Sequence, residues 1–155
     1  MRGLSPQAYY YYGPFTLLGE YVVSNQQVKR GAAAAELQNT AWDISGGWVL
    51  AGDTASDAGV TPQHPFNLHD GGWGVWPLVA RYAELNVGDA AFPMFASPAT
   101  SASAARAWSL GLNWWLNWNV RIRCSFSRTT FTGGPTGPVT KKPEELLFTC
   151  IQLAF

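Results

Sequence analysis

Along most of this chain one alternate set of residues is apolar and the set between is polar or small, which is the period of a β-strand and not of a helix. Clusters of Gly, Pro, Asn and Asp divide the pattern into about seven segments. The first is Gln7 to Tyr12, closed by Gly13-Pro14. The second, Phe15 to Gln26, sets Phe15, Leu17, Gly19, Tyr21 and Val23 on one face and Thr16, Glu20 and Ser24 on the other. The third, Leu37 to Gly52, alternates most clearly, with Trp42, Ile44, Gly46, Trp48 and Leu50 opposing Ala41, Asp43, Ser45, Gly47 and Val49. The fourth, Gly74 to Val87, gathers Trp76, Leu78, Ala80 and Tyr82 against Pro77, Val79, Arg81 and Ala83. In the fifth, Ala104 to Leu116, the set Trp108, Leu110, Leu112 and Trp114 opposes Ser109, Gly111, Asn113 and Trp115. After Asn117-Trp118-Asn119 the sixth, Val120 to Arg128, places Val120, Ile122, Cys124 and Phe126 opposite Arg121, Arg123, Ser125 and Ser127. The seventh, Glu145 to Phe155, aligns Leu147, Thr149, Ile151, Leu153 and Phe155.

These segments are about as long as the ~9–11 tilted residues with which a strand crosses a bilayer, and several carry Trp or Tyr near an end of the apolar row. Two connections, Gly13-Pro14 and Asn117-Trp118-Asn119, are tight, whereas Gln27 to Glu36, Gly88 to Ser103 and Thr129 to Pro143 read as long loops. Short turns at one end and long loops at the other describe an outer-membrane barrel. Strands alternate in direction, so parity places the long stretch from Asp53 to Gly72 with the short turns. That stretch is the main irregularity, and its role is left open between a plug in the pore and some other element.

Composition agrees with a strand-built membrane wall. Eight Trp, six Tyr, eight Phe and sixteen Gly accompany only 13% charged residues, more aromatic surface than a soluble core of this size requires. The longest apolar runs, such as Gly31 to Ala35, fall far short of the ~20 residues of a membrane helix. Ten Lys and Arg balance ten Asp and Glu, so no electrostatic footprint points to nucleic acid. The opening, Met1 to Pro6, lacks the apolar stretch of a secretory signal, and the chain therefore reads as incomplete at its front.

Other chemistries are weaker fits. Glu20 and Asp43 suggest the paired carboxylates of a glycoside hydrolase, but neither has a setting that would raise a pKa. His64, His69 and Asp70 occupy a Pro- and Gly-rich loop without the tight spacing of a metal site. No cofactor motif is present, and no enzyme activity is expected. The aromatics admit a second functional class, a soluble β-sandwich carbohydrate-binding module. Their recurrence on one face of consecutive strands, instead of one compact patch, argues against it. Trp73 and Trp115 break the pattern and are expected to face the lumen. Cys124 falls on the apolar face and Cys150 on the polar one, so two free thiols are expected.

Gly13-Pro14-Phe15-Thr16-Leu17 with Gly19-Glu20-Tyr21, Gly72-Trp73-Gly74-Val75-Trp76 with Ala80-Arg81-Tyr82, and Leu110-Gly111-Leu112-Asn113-Trp114 with Asn119-Val120-Arg121 resemble the carboxy-terminal region of the phosphate-selective porins. The ending Gln152-Leu153-Ala154-Phe155 is similar as well. Pro77 stands where that family usually has Glu, and Trp118 where it usually has Pro. The resemblance implies a sixteen-stranded, trimeric barrel in the bacterial outer membrane, of which residues 1–155 would form a carboxy-terminal segment. It implies small anions as permeants, phosphate or polyphosphate first. It also implies Phe155 as the signal read by the barrel assembly machinery. The faces then assign Arg81, Arg121 and Arg123 to the anion path, or alternatively to general wall charges paired with Glu20 or Asp43, assign Glu20 and Asp43 to lumen carboxylates, and assign Trp42, Trp48, Trp76, Tyr82, Trp108 and Trp114 to membrane lipid.

Overall fold

A computed structural model describes residues 2–50, 60, 62–133 and 141–154. The strands are β1 (Arg2–Leu4), β2 (Gln7–Tyr12), β3 (Phe15–Arg30), β4 (Ala33–Leu50), β5 (Trp76–Asn86), β6 (Ala102–Trp115), β7 (Val120–Gly133) and β8 (Lys141–Leu153), with one short 3₁₀ turn at Asp89–Ala91. All eight form one antiparallel sheet in the order β1-β3-β4-β5-β6-β7-β8, and β2 also pairs with β3. β1 and β2 lie on the same edge of β3, so they are two pieces of a single strand interrupted at Ser5-Pro6. Pro6 cannot donate to the ladder, but its carbonyl accepts the Tyr21 amide at 3.1 Å, and an edge strand tolerates that interruption. The sheet is thus seven strands wide, an all-β meander that does not close on itself.

A β-sandwich needs a second sheet, and every strand among the described residues belongs to one. The sugar-binding alternative loses its architecture on that count. The sheet also has very little interior. Leu37, Val49, Val75 and Ala91 are the buried hydrophobics among the described residues, whereas Trp48, Leu110 and Ile151 remain 47%, 51% and 66% exposed. A face this apolar requires cover from something other than its own chain.

The strands run further than their apolar rows. Residues Gln27 to Glu36, read from sequence as a long loop, continue the β3–β4 ladder through Gln27↔Glu36 to Arg30↔Ala33. The hairpin turns at Gly31-Ala32, where Gly31 takes φ +63°, a conformation open to glycine at the first central position of a two-residue turn. The apolar alternation stops before the backbone pairing does, because hydrogen bonds between main chains need no greasy side chain. For the same reason β7 extends to Gly133 and β8 begins at Lys141, shortening the expected Thr129 to Pro143 loop. Of the stretch Gly88 to Ser103, Gly88 to Ser101 is a genuine long connection, and Ala102 and Ser103 open β6. Of the Asp53 to Gly72 stretch, residues 53–59 and 61 lie outside the described residues, as does Phe155.

Pro77 marks a gap in the β5–β6 ladder. Val75 and Trp115 exchange both backbone hydrogen bonds, at 3.0 and 2.9 Å, which makes Pro77 with Asn113 the next pair due to do so. Proline has no N–H, and the continuous pairing resumes only at Leu78↔Leu112.

A polar face and an aromatic face

The register assigns every strand residue to a side. On one side Tyr21↔Trp42 and Tyr82↔Trp108 are cross-strand partners, the Trp42 and Tyr82 rings lie 5.4 Å apart, and Trp108 lies 5.4 Å from Phe126. A second row on this side joins Phe15 to Trp48, stacked at 6.0 Å, and Trp76 to Trp114, stacked at 4.7 Å. The rows are separated by a constant six positions, in Phe15/Tyr21, Trp42/Trp48, Trp76/Tyr82 and Trp108/Trp114. At a rise of about 3.3 Å per residue that is roughly 20 Å along a strand. Trp42, Trp48, Trp76, Tyr82, Trp108 and Trp114 therefore form two belts on one face. The face is readable from alternation, and the second belt from the fixed offset between aromatic positions.

The opposite side carries the charges. Arg81 on β5 donates from Nε and Nη2 to Asp43 on β4, at 3.3 and 3.2 Å. Glu20 is the direct cross-strand partner of Asp43. Like charges at opposed positions repel, and Glu20 is held instead by Ser5 Oγ at 2.6 Å and Gln7 Nε2 at 3.0 Å. One end of the wall thus has two carboxylates for one guanidinium.

β7 holds the complement. Arg121 sits 4.5 Å over the Trp115 ring and donates to Gln152 on β8, while Arg123 Nε donates to Asn113 Oδ1 at 3.0 Å. Both arginines are held by neutral partners, and neither joins an ion pair among the described residues. Between Arg81 and Arg123 the wall is floored by Ser109, Gly111 and Ser125, so the guanidiniums rise above small side chains. The turn before β7 fixes this placement. Asn117 Oδ1 accepts the amides of Asn119 and Val120, each at 2.9 Å, and Asn119 exchanges hydrogen bonds with Ala154 at 2.7 and 2.9 Å. Trp118 in that turn is 64% exposed.

The Gly88 to Ser103 connection folds over the polar side. Gly88 N–H donates to Asn39 Oδ1 at 3.1 Å, Arg30 Nη1 donates to the Met94 carbonyl at 2.8 Å, and Leu37 beneath is 9% exposed. Arg30, Leu37 and Asn39 share the face of Glu20 and Asp43. The described part of the irregular stretch does the reverse. Phe66 packs edge-on against Trp114 at 5.2 Å and lies 6.4 Å from Trp73, and the Trp73 carbonyl accepts both the Trp76 and Trp114 indole N–H groups, at 3.2 and 2.8 Å. Residues 64–75 therefore brace the rim on the aromatic side. Trp73, expected to face the lumen, belongs to that cluster because its carbonyl caps two indoles of the aromatic face. Trp115 does lie on the polar side, beneath Arg121.

His64 and Asp70 serve the rim's own geometry. The His64 carbonyl accepts the Gly74 amide at 3.2 Å, Asp70 accepts from Asn67 Nδ2, and the His69 amide donates to Asn67 Oδ1 at 2.9 Å. Cys124 opposes Thr149 on the aromatic face and Cys150 opposes Arg123 on the polar face, so the thiols are on opposite sides of the sheet as the alternation requires. Two ion pairs escaped the sequence reading. Glu84 with Arg106, at 3.3 Å, and Arg128 with Glu145, at 3.7 Å, lie on the aromatic face, with Glu84 opposite Trp42 and Arg128 opposite Trp108.

Comparison with curated proteins finds no match to the chain. Comparison with protein families matches residues 5–134 to the family described as phosphate-selective porin O and P. That span covers every strand from β2 to β7 and both faces described above, and the chain belongs to the phosphate-selective porin family.

Proposed function

We propose that the chain forms part of the wall of a passive channel for small anions in the bacterial outer membrane, with phosphate as the leading solute. The polar face lines water and the aromatic face meets lipid. The observation that carries the reading is the state of Arg121 and Arg123. Two guanidiniums fixed by Trp115, Gln152 and Asn113 have no carboxylate paired with them among the described residues, in a setting where a narrow pore strengthens their field. A guanidinium offers several donors in a plane, which suits the oxygens of a phosphate. Arg81 contributes less, because Asp43 already occupies its fork.

The wall needs more strands, from further sequence or from further copies. Among the described residues, β1 and β2 at one edge and β8 at the other have one unpaired side each, and in hydrocarbon every unsatisfied backbone group costs several kcal/mol. Family membership supports a sixteen-stranded, trimeric assembly, with Phe155 as the residue that the barrel assembly machinery reads. The reading involves no catalysis and no cofactor.

The test is the reversal potential of channels formed by the chain in planar bilayers under a potassium chloride gradient. Arg121→Gln with Arg123→Gln is expected to lower the anion-to-cation permeability ratio roughly tenfold, since both free charges leave the wall. An unchanged ratio at unchanged conductance removes these residues from the anion path.

A further inference from the structure

The aromatic face carries two exposed guanidiniums of its own. The pairs Arg106↔Thr130 and Trp108↔Arg128 make Arg106 and Arg128 diagonal neighbours across β6 and β7, with Cα atoms about 7–8 Å apart in such a pair. Arg106 lies two positions beyond Trp108 on its strand, and Arg128 two beyond Phe126. Along its own strand each arginine sits just beyond an aromatic, while across the sheet Arg128 is level with Trp108, so both lie at the border of the aromatic row, at the end of the sheet where the long connections are. Their side chains are 57% and 44% exposed. Glu84 and Glu145 approach each arginine through Nε, at 3.3 and 3.7 Å. These contacts steady the two stems, and among the described residues no hydrogen bond engages a terminal nitrogen of either fork.

We propose that Arg106 and Arg128 together bind the phosphate of an anionic lipid headgroup in the leaflet on the long-connection side. The proposal rests on the reading that the aromatic face meets lipid. Aromatic side chains mark the level of the headgroups, and the next side chains outward stand where lipid phosphates lie. Glu84 and Glu145 balance the charge of the two arginines, so it is the convergence of the two forks, and not a net positive charge, that holds a phosphate there through several hydrogen bonds. The lumen arginines Arg121 and Arg123 cannot take part, because they lie on the other face of the same sheet.

The experiment measures tryptophan fluorescence of the refolded chain in phosphatidylcholine vesicles. Either the phosphatidylcholine or an added minor fraction of phosphatidic acid carries brominated, quenching chains. Brominated phosphatidic acid is expected to quench roughly fivefold more per lipid than brominated phosphatidylcholine. That excess is expected to vanish in Arg106→Gln with Arg128→Gln and to persist in Arg121→Gln with Arg123→Gln. Quenching of the first variant by brominated phosphatidylcholine, equal to that of the unaltered chain, shows that it has folded into the bilayer. Should that variant not insert, Arg106→Lys with Arg128→Lys keeps the charge without the fork and is expected to retain a reduced excess. Equal quenching by the two lipids in the unaltered chain overturns the headgroup site and leaves the lipid-facing reading intact. No quenching by either lipid overturns both. Loss of the excess on adding inorganic phosphate overturns the lipid as the source of the bound group.

Discussion

Arg81 on β5 and Asp43 on β4 meet through two contacts, 3.3 and 3.2 Å, that close the guanidinium fork over one carboxylate. Their Cα atoms are not direct partners, since Asp43 opposes Ala83 and Arg81 opposes Ser45, so the pair is diagonal and stretches along the wall. Asp43→Asn is therefore expected to free the fork and to raise the anion-to-cation permeability ratio roughly twofold to threefold. Arg81→Gln is expected to lower it by a similar factor, leaving Asp43 and Glu20 as uncompensated neighbours. Reversal potentials of the two variants check both signs. Equal and same-direction shifts would show that the pair acts through structure and not through charge.

Gly74 is where the rim segment passes closest to β6. Its φ is +67°, and a Cβ built there would lie 2.2 Å from the Trp115 carbonyl oxygen. Gly74→Ala must open the Val75–Trp115 bridge, and with it the seat of Trp73 against Trp76 and Trp114. The expected cost is about 2–4 kcal/mol, combining steric displacement with an unfavourable backbone conformation. Urea unfolding in detergent micelles, followed by tryptophan emission, measures it. Gly13→Ala, where φ is +55° and nothing lies within 4 Å of the added methyl, is the milder comparison.

The two thiols provide a direct reading of sidedness. In the bilayer a charged, water-soluble maleimide is expected to label Cys150, beside Arg123, and to spare Cys124, which is opposite Thr149 on the aromatic face. Gel mobility without reductant is expected to match that with reductant, since residues on opposite faces of paired strands cannot join. Preferential labelling of Cys124 would reverse the assignment of water and lipid to the two faces.

Much of this fold is legible in the sequence wherever one side of a strand is greasy. Trp42, Ile44, Trp48 and Leu50 announce β4, and Trp108 to Trp114 announce β6, because a covered face imposes its period on the residues that touch the cover. The extension of β3 to Arg30 is invisible for the same physical reason. Gln27, Val28, Lys29 and Arg30 pair through their backbones with Ala33 to Glu36, with no consistent apolar side to betray them. Candidate charges emerge from parity, and so do Glu20 and Asp43 as possible partners, but which charge takes which partner does not. Alternation places Arg81, Arg121 and Arg123 on one side, while Asp43 taking one and Trp115, Asn113 and Gln152 holding the others follows from register and side-chain reach. The seat of Trp73 was illegible because residues 64–75 are not a strand, and period-two counting has no meaning there.

The long β3–β4 hairpin makes the sheet lopsided. Beyond Tyr21 and Trp42 the ribbon continues for about nine residues on each strand to its tip at Gly31-Ala32, roughly 30 Å of backbone, whereas β5 stops at Asn86, four positions past Tyr82. A mouth built from this wall has a tall parapet at β3 and β4, with Lys29 and Arg30 at its crest, and a lower sill beside it where β5 ends. Solutes would approach over the low side, and any large body landing on the rim, such as a phage fibre or an antibody, would meet the parapet first.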